Sequence, residues 1–101
     1  MKAIGWRTVS LNISYATFQV NKAEKLCILN YVRDFPTADA DKFYTWHTYA
    51  IPSQYRPAMQ FHGSMNQVGT LYVNSTGDIG GKFANNWSSN HTVKGTVMWQ
   101  Y

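Results

Sequence analysis

Two stretches of the chain combine aromatic rings with hydrogen-bonding side chains, which is the combination that sugar-binding proteins use. Two aspartates precede a Tyr-Thr-Trp-His-Thr-Tyr run at residues 44–49, and the sequence Asn-Asn-Trp-Ser-Ser-Asn-His at residues 85–91 surrounds one indole with small polar groups. Flat rings stack on the apolar face of a pyranose, while carboxylate, amide, imidazole and guanidinium groups bind its hydroxyls or an attached phosphate. The candidate ligand-binding residues are Arg33, Asp39, Asp41, Trp46, His47, Trp87 and His91.

The four tryptophans divide between binding and packing. Trp46 lies in a predicted strand, where a ring packs in a core or a subunit interface as readily as it binds a ligand. Trp87 lies among Asn and Ser in a predicted loop and has few local partners, which favours an exposed stacking platform. Trp6 and Trp99 are assigned to packing.

The acidic residues do not suggest a catalytic site. All five lie outside the predicted strands, so none is paired with another at the fixed spacing that a hydrolase needs: Glu24, Asp34, Asp39, Asp41 and Asp78. Asp39 and Asp41 share a predicted mobile loop, which favours solubilising charges over a catalytic pair. Arg33 could form an ion pair with Asp34 or reach a phosphate. The chain contains no Gly-X-Ser-X-Gly, P-loop or dinucleotide-binding motif, and we expect no enzymatic activity and no cofactor.

Metal and disulfide sites are not expected either. The three histidines come from separate segments without metal-ligand spacing, and the aspartates do not follow a calcium-loop pattern. Cys27 is the single cysteine, which excludes a disulfide within the chain. Its position between Leu26 and Ile28 predicts a buried small hydrophobic side chain rather than a nucleophile.

The composition indicates one β domain spanning residues 1–101. Aromatic residues make up 16% of the chain and charged residues 14%, which is typical of a sandwich or barrel. The net charge of +4 is spread along the chain, which argues against nucleic-acid binding and suits an anionic wall polymer. No apolar run approaches the roughly 20 residues of a membrane span, so membrane insertion is not expected.

Alternating apolar residues and turn signals predict seven or eight antiparallel strands. Residues 16–20 could extend the first strand or pair back on it, and residues 26–33 are apolar enough to be covered on both faces. Loops are expected at residues 34–42 and 85–90. The predicted strands are residues 6–15, 26–33, 43–50, 59–64, 68–75, 79–83 and 91–101. These features predict an antiparallel β-sandwich or squashed β-barrel, with the last strand central or at an oligomer interface.

Residues 51–79 carry a more specific pattern. Pro52 and Pro57 fix their own φ and push the preceding Ile51 and Arg56 into extended conformations, which predicts a stiff, non-helical crossing. A strand and a tight Asn-Ser-Thr-Gly-Asp corner follow. The order of Ile-Pro, Tyr-Arg-Pro, apolar strand and Gly-Asp-Ile corner resembles the head domains of receptor-binding proteins at the tail tips and baseplates of tailed bacteriophages, notably those of lactic acid bacteria.

The resemblance implies a homotrimer that binds a host cell-surface saccharide such as a wall polysaccharide, phosphosaccharide or teichoic acid. It also implies a place in the virion, at the tail tip or baseplate, with other tail or baseplate proteins as partners. Two other interpretations are open. The chain could be a structural tail-fibre or baseplate module that binds no small ligand, or a carbohydrate-binding module of a wall hydrolase.

Overall fold

The computed structural model describes residues 5–66 and 68–101, which form eight strands and one short 3₁₀ turn at Ser53–Tyr55. The strands are β1 (Trp6–Val9), β2 (Ala16–Asn21), β3 (Leu26–Phe35), β4 (Phe43–His47), β5 (Phe61–Met65), β6 (Gly69–Val73), β7 (Ile79–Phe83) and β8 (His91–Gln100). All named strand pairs are antiparallel. The all-β class and the strand number predicted from the sequence are confirmed.

The strands form one curled sheet in the order β1-β2-β3-β8-β5-β6-β7-β4, which places β1 and β4 at its edges. The sheet has two halves, one ending at β8 and the other beginning at β5. The two halves meet where Met65 of β5 pairs with Gly95 of β8. On the inner face, Tyr31 of β3 stacks on Trp46 of β4 at 5.5 Å between ring centroids, so the curled sheet is filled by side chains from both halves.

The first predicted strand was too long. Strand β1 ends at Val9, and the chain pairs back on itself from Ala16, so residues 10–15 connect β1 to β2. The apolar members of this connection, Leu11 and Ile13, still pack half-buried against the core. The alternation of residue types therefore indicated correctly which side chains reach the core. It did not indicate strand pairing, because the backbone of residues 10–15 is outside the β1–β2 pair.

Strand β3 differs from its prediction in length and in burial. It continues to Phe35 and so takes the first two residues of the predicted loop at 34–42. Only one of its faces is covered, because Cys27, Leu29 and Tyr31 are buried while Asn30 and Val32 are exposed. The expectation of a strand covered on both faces was wrong. A one-layer curled sheet leaves its outer face in solvent.

The proline-bounded segment closes one end of the core. Ile51 is fully buried, and the carbonyl oxygen of Tyr55 accepts a 2.7 Å hydrogen bond from Nε1 of the buried Trp99. Arg56 is extended as predicted, with φ −71° and ψ 142°, and its Nε donates to the Ile51 carbonyl at 2.7 Å. The segment contains a 3₁₀ turn, so the expectation that it excludes helix was wrong at residues 53–55. A 3₁₀ turn is short enough to fit between two prolines.

The last strand behaves as its alternation predicted. Val93, Val97 and Trp99 are buried on the inner face, and β8 lies between β3 and β5 near the centre of the sheet. Phe18 stacks on Trp99 at a centroid distance of 5.7 Å and an interplanar angle of 15°.

The tight corner between β6 and β7 is a dense polar turn. Asn74 Oδ1 accepts hydrogen bonds from the Thr76 and Asp78 amides at 3.1 and 3.0 Å. The carboxylate of Asp78 accepts from the Tyr49 amide at 2.9 Å and from the Thr76 hydroxyl at 3.0 Å. Gly77 has φ +81°, a conformation in which L side chains are strained. These bonds lower the pKa of Asp78, chiefly through the Tyr49 amide.

Asp78→Asn is expected to lower the free energy of unfolding near neutral pH by about 1 kcal/mol, because the charged acceptor of several hydrogen bonds is lost at a solvent-accessible turn. Since the pKa of Asp78 is lowered in the folded state, its contribution is present above the usual carboxyl pKa and disappears as the pH falls through the lowered value. Urea unfolding of both proteins at neutral and strongly acidic pH measures the effect. A difference that is unchanged in acid would contradict a role for the ionised carboxylate.

Candidate functional site

A cavity of about 310 Å³ opens between the two halves of the sheet and contains two of the predicted site residues. Its wall comes from β3, β4 and β7 and from the segment that connects β3 to β4. The lining residues are Phe35, Thr37, Ala38, Asp39, Tyr44, Trp46 and Phe83. The volume is near the lower end of the range for small-molecule sites, roughly 300–1,000 Å³, and fits a single sugar ring better than a large ligand.

Trp46 belongs both to the core and to the cavity wall. It shares the inner face of β4 with Tyr44. The centroid of its ring lies 5.0 Å from the centroid of the Phe35 ring and 5.7 Å from that of the Phe83 ring. The sheet makes room for the indole at Gly81, where an added Cβ would lie 2.6 Å from Trp46 Cη2. Half-buried by these contacts, the ring is held in one orientation. A rigid ring is a better stacking platform than a mobile one, because less conformational entropy is lost on binding.

Asp39 brings an exposed carboxylate to the rim of the same cavity. The hydroxyl of Tyr44 donates to Asp39 Oδ2 at 3.4 Å, and Lys42 Nζ lies 4.0 Å from the same oxygen. The segment that carries Asp39 is hydrogen-bonded to the loop that carries Trp87, because the backbones of Ala38 and Trp87 form two hydrogen bonds, of 3.0 and 3.1 Å. Asp39 is therefore on an anchored segment rather than on the free loop that the sequence predicted.

Trp87 is not the exposed platform that its polar neighbours predicted. It is half-buried, its Nε1 donates to the Phe35 carbonyl at 3.0 Å, and its ring packs edge to face on Phe83 at 4.9 Å. The predicted loop at residues 85–90 exists, but the indole turns back into the fold. The exposed His91 lies against it, with ring centroids 4.7 Å apart. Trp87 thus contacts two residues of the cavity wall, the Phe83 ring and the Ala38 backbone, and helps to fix their positions.

Arg33 and His47 meet at the hydroxyl of Tyr31. Tyr31 Oη lies 2.8 Å from His47 Nε2, and Arg33 Nη1 donates to the same oxygen at 3.3 Å. The guanidinium lies over the rings of Tyr15 and Phe35, at 4.6 and 5.0 Å from their centroids. Within residues 5–66 and 68–101, no carboxylate lies within 4 Å of this guanidinium.

The alternative in which Arg33 pairs with Asp34 is therefore wrong. Consecutive strand residues point to opposite faces of a sheet, and Asp34 instead accepts a 2.6 Å hydrogen bond from the Thr92 hydroxyl across β3 and β8. Arg33 consequently stays available as a cation beside the aromatic cluster.

The protonation states in this cluster follow from burial. Burial and the nearby Arg33 charge lower the pKa of His47, and burial raises the pKa of Tyr31. His47 is therefore neutral at pH 7, and its Nε2 can accept a hydrogen bond from the Tyr31 hydroxyl, which keeps its proton. The cluster presents one permanent positive charge, that of Arg33, and uncharged hydrogen-bonding groups around it.

The structure joins most of the predicted site residues through contacts between rings. Six rings form a continuous series in which each ring centroid lies within 6 Å of the next. In order, they are those of His47, Tyr31, Trp46, Phe83, Trp87 and His91. Arg33 and Asp39 flank this series. Asp41 is separate, because it lines a second cavity of about 190 Å³ with Lys82 and Thr70.

Sequence reasoning missed the residues that join the candidates. Tyr44 had a usable signal, because it alternates with Trp46 on one strand face. Tyr31 and Phe83 had none, because they were ordinary aromatic residues of distant predicted strands, and Phe35 lay in the predicted loop at residues 34–42.

The described residues support neither a metal site nor a reactive cysteine. In the described part of the chain, no group of three or more His, Cys, Asp or Glu side chains is close enough to hold a metal ion. Burial raises the pKa of the Cys27 thiol to about 12, so this cysteine is a packing residue as predicted. Within the same described residues there is no helix with the length and hydropathy of a membrane span.

Comparison of the chain with protein-family models, curated proteins and solved structures finds no match. The functional interpretation therefore depends on the geometry of the cavity and on the pattern in residues 51–79.

Proposed function

We propose that this chain is the receptor-binding head domain of a tailed-phage tail-tip or baseplate protein and that it binds a saccharide of the host cell surface without catalysis. The observation that carries the proposal is the cavity in which the Trp46 ring, the Tyr44 hydroxyl and the Asp39 carboxylate come together. A ring for the apolar face of a sugar and acceptors for its hydroxyls are the two elements that saccharide recognition requires.

The charges near the cavity suit a saccharide that carries an anionic substituent. Arg33 has no carboxylate partner among the described residues and lies over Phe35, a residue of the cavity wall. A guanidinium binds phosphate or carboxylate oxygens in a bidentate manner. The net charge of +4 favours the approach of an anionic wall polymer. Wall polysaccharide, phosphosaccharide and teichoic acid are the ligand classes that we propose.

The proposed head is a homotrimer attached to other tail or baseplate proteins in the virion. Phe43 and Tyr49 support a subunit interface, because their side chains are 57% and 71% exposed in the single chain. One small cavity gives modest affinity, and several heads on one particle convert it into firm attachment through avidity. Light scattering measures the stoichiometry in solution.

Asp39→Ala is expected to weaken binding of host-wall saccharide by about tenfold or more, because hydrogen bonds to charged groups contribute about 1.5–3 kcal/mol. Stability should change little, since the side chain is exposed at the cavity rim. Calorimetric titration with saccharide purified from the wall of a lactic acid bacterium measures the affinity.

Glu24→Ala is the matched control, because it removes the same charge from the exposed turn between β2 and β3. Equal affinity of the Asp39 and Glu24 variants would show that the cavity is not the binding site.

The structural tail module is the second candidate, and the exposed Phe43 and Tyr49 rings favour it. A trimer that binds no wall saccharide would support this candidate. A monomer that binds saccharide would instead support a carbohydrate-binding module of a wall hydrolase.

A further inference from the structure

Three hydrogen-bonding groups meet at the buried hydroxyl of Tyr31. Its oxygen lies 2.8 Å from His47 Nε2 and accepts a 3.3 Å hydrogen bond from Arg33 Nη1. Tyr31 is fully buried, and the described residues offer its hydroxyl no other partner. Because arginine only donates, His47 Nε2 is the one acceptor among them for the Tyr31 proton. The contact therefore requires a neutral His47 that carries its own proton on Nδ1.

Protonation of His47 removes that acceptor. Nε2 then carries a hydrogen, so the Tyr31 hydroxyl faces two donors and has no group to which it can donate. A buried polar group without a partner destabilises the arrangement that buries it. The new charge also lies near the guanidinium of Arg33, which stays charged. Burial and this neighbouring charge lower the pKa of His47.

No nearby acid offsets the charge of a protonated His47. Asp78 lies beside the β7 residue that pairs with His47, but its carboxylate accepts hydrogen bonds from three other groups. Within the described chain, no carboxylate lies within 4 Å of the His47 ring. The other titratable or charged side chains that face this ring are Tyr31 and Arg33 from β3 and Tyr15 from the connection between β1 and β2.

The Tyr31–His47 contact holds the end of an edge strand beside the Trp46 cavity. Strand β4 pairs with β7 alone, and its register shifts between Thr45 and His47, so no second strand of the described sheet holds its end. The Trp46 ring of the cavity wall stacks on Tyr31. Loss of the contact therefore loosens the strand next to this ring, and edge segments with few partners open locally at low cost.

We infer that His47 is an acid-sensitive switch: its protonation breaks the bond to Tyr31, frees the end of β4 and opens the Trp46 cavity. Since the closed contact lowers the pKa of His47, its contribution is fully present above the ordinary histidine pKa. It decreases as the pH falls from there towards the lowered value. The effect on saccharide binding rests on the proposed function, whereas the opening itself does not.

The test is amide hydrogen exchange of the full chain at about pH 7.5 and about pH 5, corrected for intrinsic exchange rates, because histidine changes charge in this range. In the parent, the opening constant of β4 should rise in acid, by up to about tenfold for each unit by which the contact lowers the pKa of His47. At both pH values it should exceed the global unfolding constant obtained from urea. Exchange of β4 only through global unfolding would show that no local opening exists.

Two variants test the chemistry of the contact. His47→Gln keeps an acceptor for the Tyr31 proton and does not titrate, so its β4 opening constant should not change with pH. Tyr31→Phe removes the hydroxyl that loses its acceptor, so its response to acid should be smaller than that of the parent. The control His62→Gln removes an exposed histidine of β5 and should respond as the parent does. If the parent does not respond, or if the first two variants respond as it does, the switch is wrong.

Calorimetric titration with wall saccharide from a lactic acid bacterium at the same two pH values gives a separate readout. The affinity should fall in acid for the parent and stay the same for His47→Gln. If the affinity of the parent is equal at both pH values, the opening does not reach the cavity and the inference is wrong, while saccharide binding stands. If β4 opens as expected and neither protein binds saccharide at either pH, the switch stands and the proposed function fails.

Discussion

Trp99→Ala is expected to lower the free energy of unfolding by about 3–5 kcal/mol, which is the usual cost of truncating a fully buried tryptophan. The side chain is 1% exposed, stacks on Phe18 and donates a 2.7 Å hydrogen bond to the Tyr55 carbonyl. The substitution therefore opens a cavity and also leaves that carbonyl without its donor. It weakens the contact that holds the proline-bounded segment 51–57 against the core. Urea unfolding followed by circular dichroism measures the loss.

Two further variants help to separate the effect of the lost ring from the effect of the lost indole hydrogen bond. Trp99→Phe keeps a ring and removes the indole donor. Its free energy of unfolding should therefore fall by roughly 1–3 kcal/mol, which is the cost of leaving a buried acceptor unsatisfied. Trp87→Ala should lose about 2 kcal/mol, because Trp87 is only half-buried while its Nε1 also donates to a carbonyl, that of Phe35. If Trp99→Ala is no less stable than Trp87→Ala, the core is not organised around the Trp99 ring.

Strand β8 could be predicted because its signal is local. Val93, Val97 and Trp99 alternate with exposed residues that are polar except for Met98, and a central strand with one covered face requires such an alternation of burial. The same rule failed at residues 10–15, where half-buried side chains alternate outside any strand. Periodicity detects burial, and it identifies a strand only where the backbone also finds a partner strand.

Trp87 could not be placed from its neighbours along the chain. Its decisive partner is the Phe35 carbonyl, 52 residues away, and the Asn and Ser around it carry no information about that contact. Asp41 was separated from the other candidates for a different reason, since a positive φ at an aspartate leaves no mark in the sequence pattern. Residue types therefore supplied the candidate side chains, whereas long-range contacts decided how these side chains are arranged.

The Trp46 cavity depends on how the two halves of the sheet meet. Phe35 comes from the half that ends at β8, whereas Tyr44, Trp46 and Phe83 come from the half that begins at β5. The halves are joined at the β5–β8 pair, where Gly63 lies against the Thr96 backbone. A Cβ on Gly63 would fall well inside contact distance of the Thr96 carbonyl oxygen. The β5–β8 pair thus joins the two groups of strands that contribute residues to the cavity wall.

Gly63→Ala is expected to lower the free energy of unfolding by about 3 kcal/mol or more, or to prevent folding, because the added methyl group meets backbone atoms that cannot turn aside. Urea unfolding measures this effect. Gly95→Ala is the matched control on the same strand pair, since its Cβ would lie 3.0 Å from Met65 Cγ, 3.2 Å from Leu71 Cδ2 and 3.2 Å from the Ser64 carbonyl oxygen, which are tight contacts but much longer than the one that Gly63→Ala would make with the Thr96 backbone. Gly95→Ala should lower the free energy of unfolding by about 1 kcal/mol and keep most of the saccharide affinity. If Gly63→Ala is as stable as Gly95→Ala, β5 and β8 are not closely packed at residue 63. The cavity would then not be held in shape by the junction between the two halves.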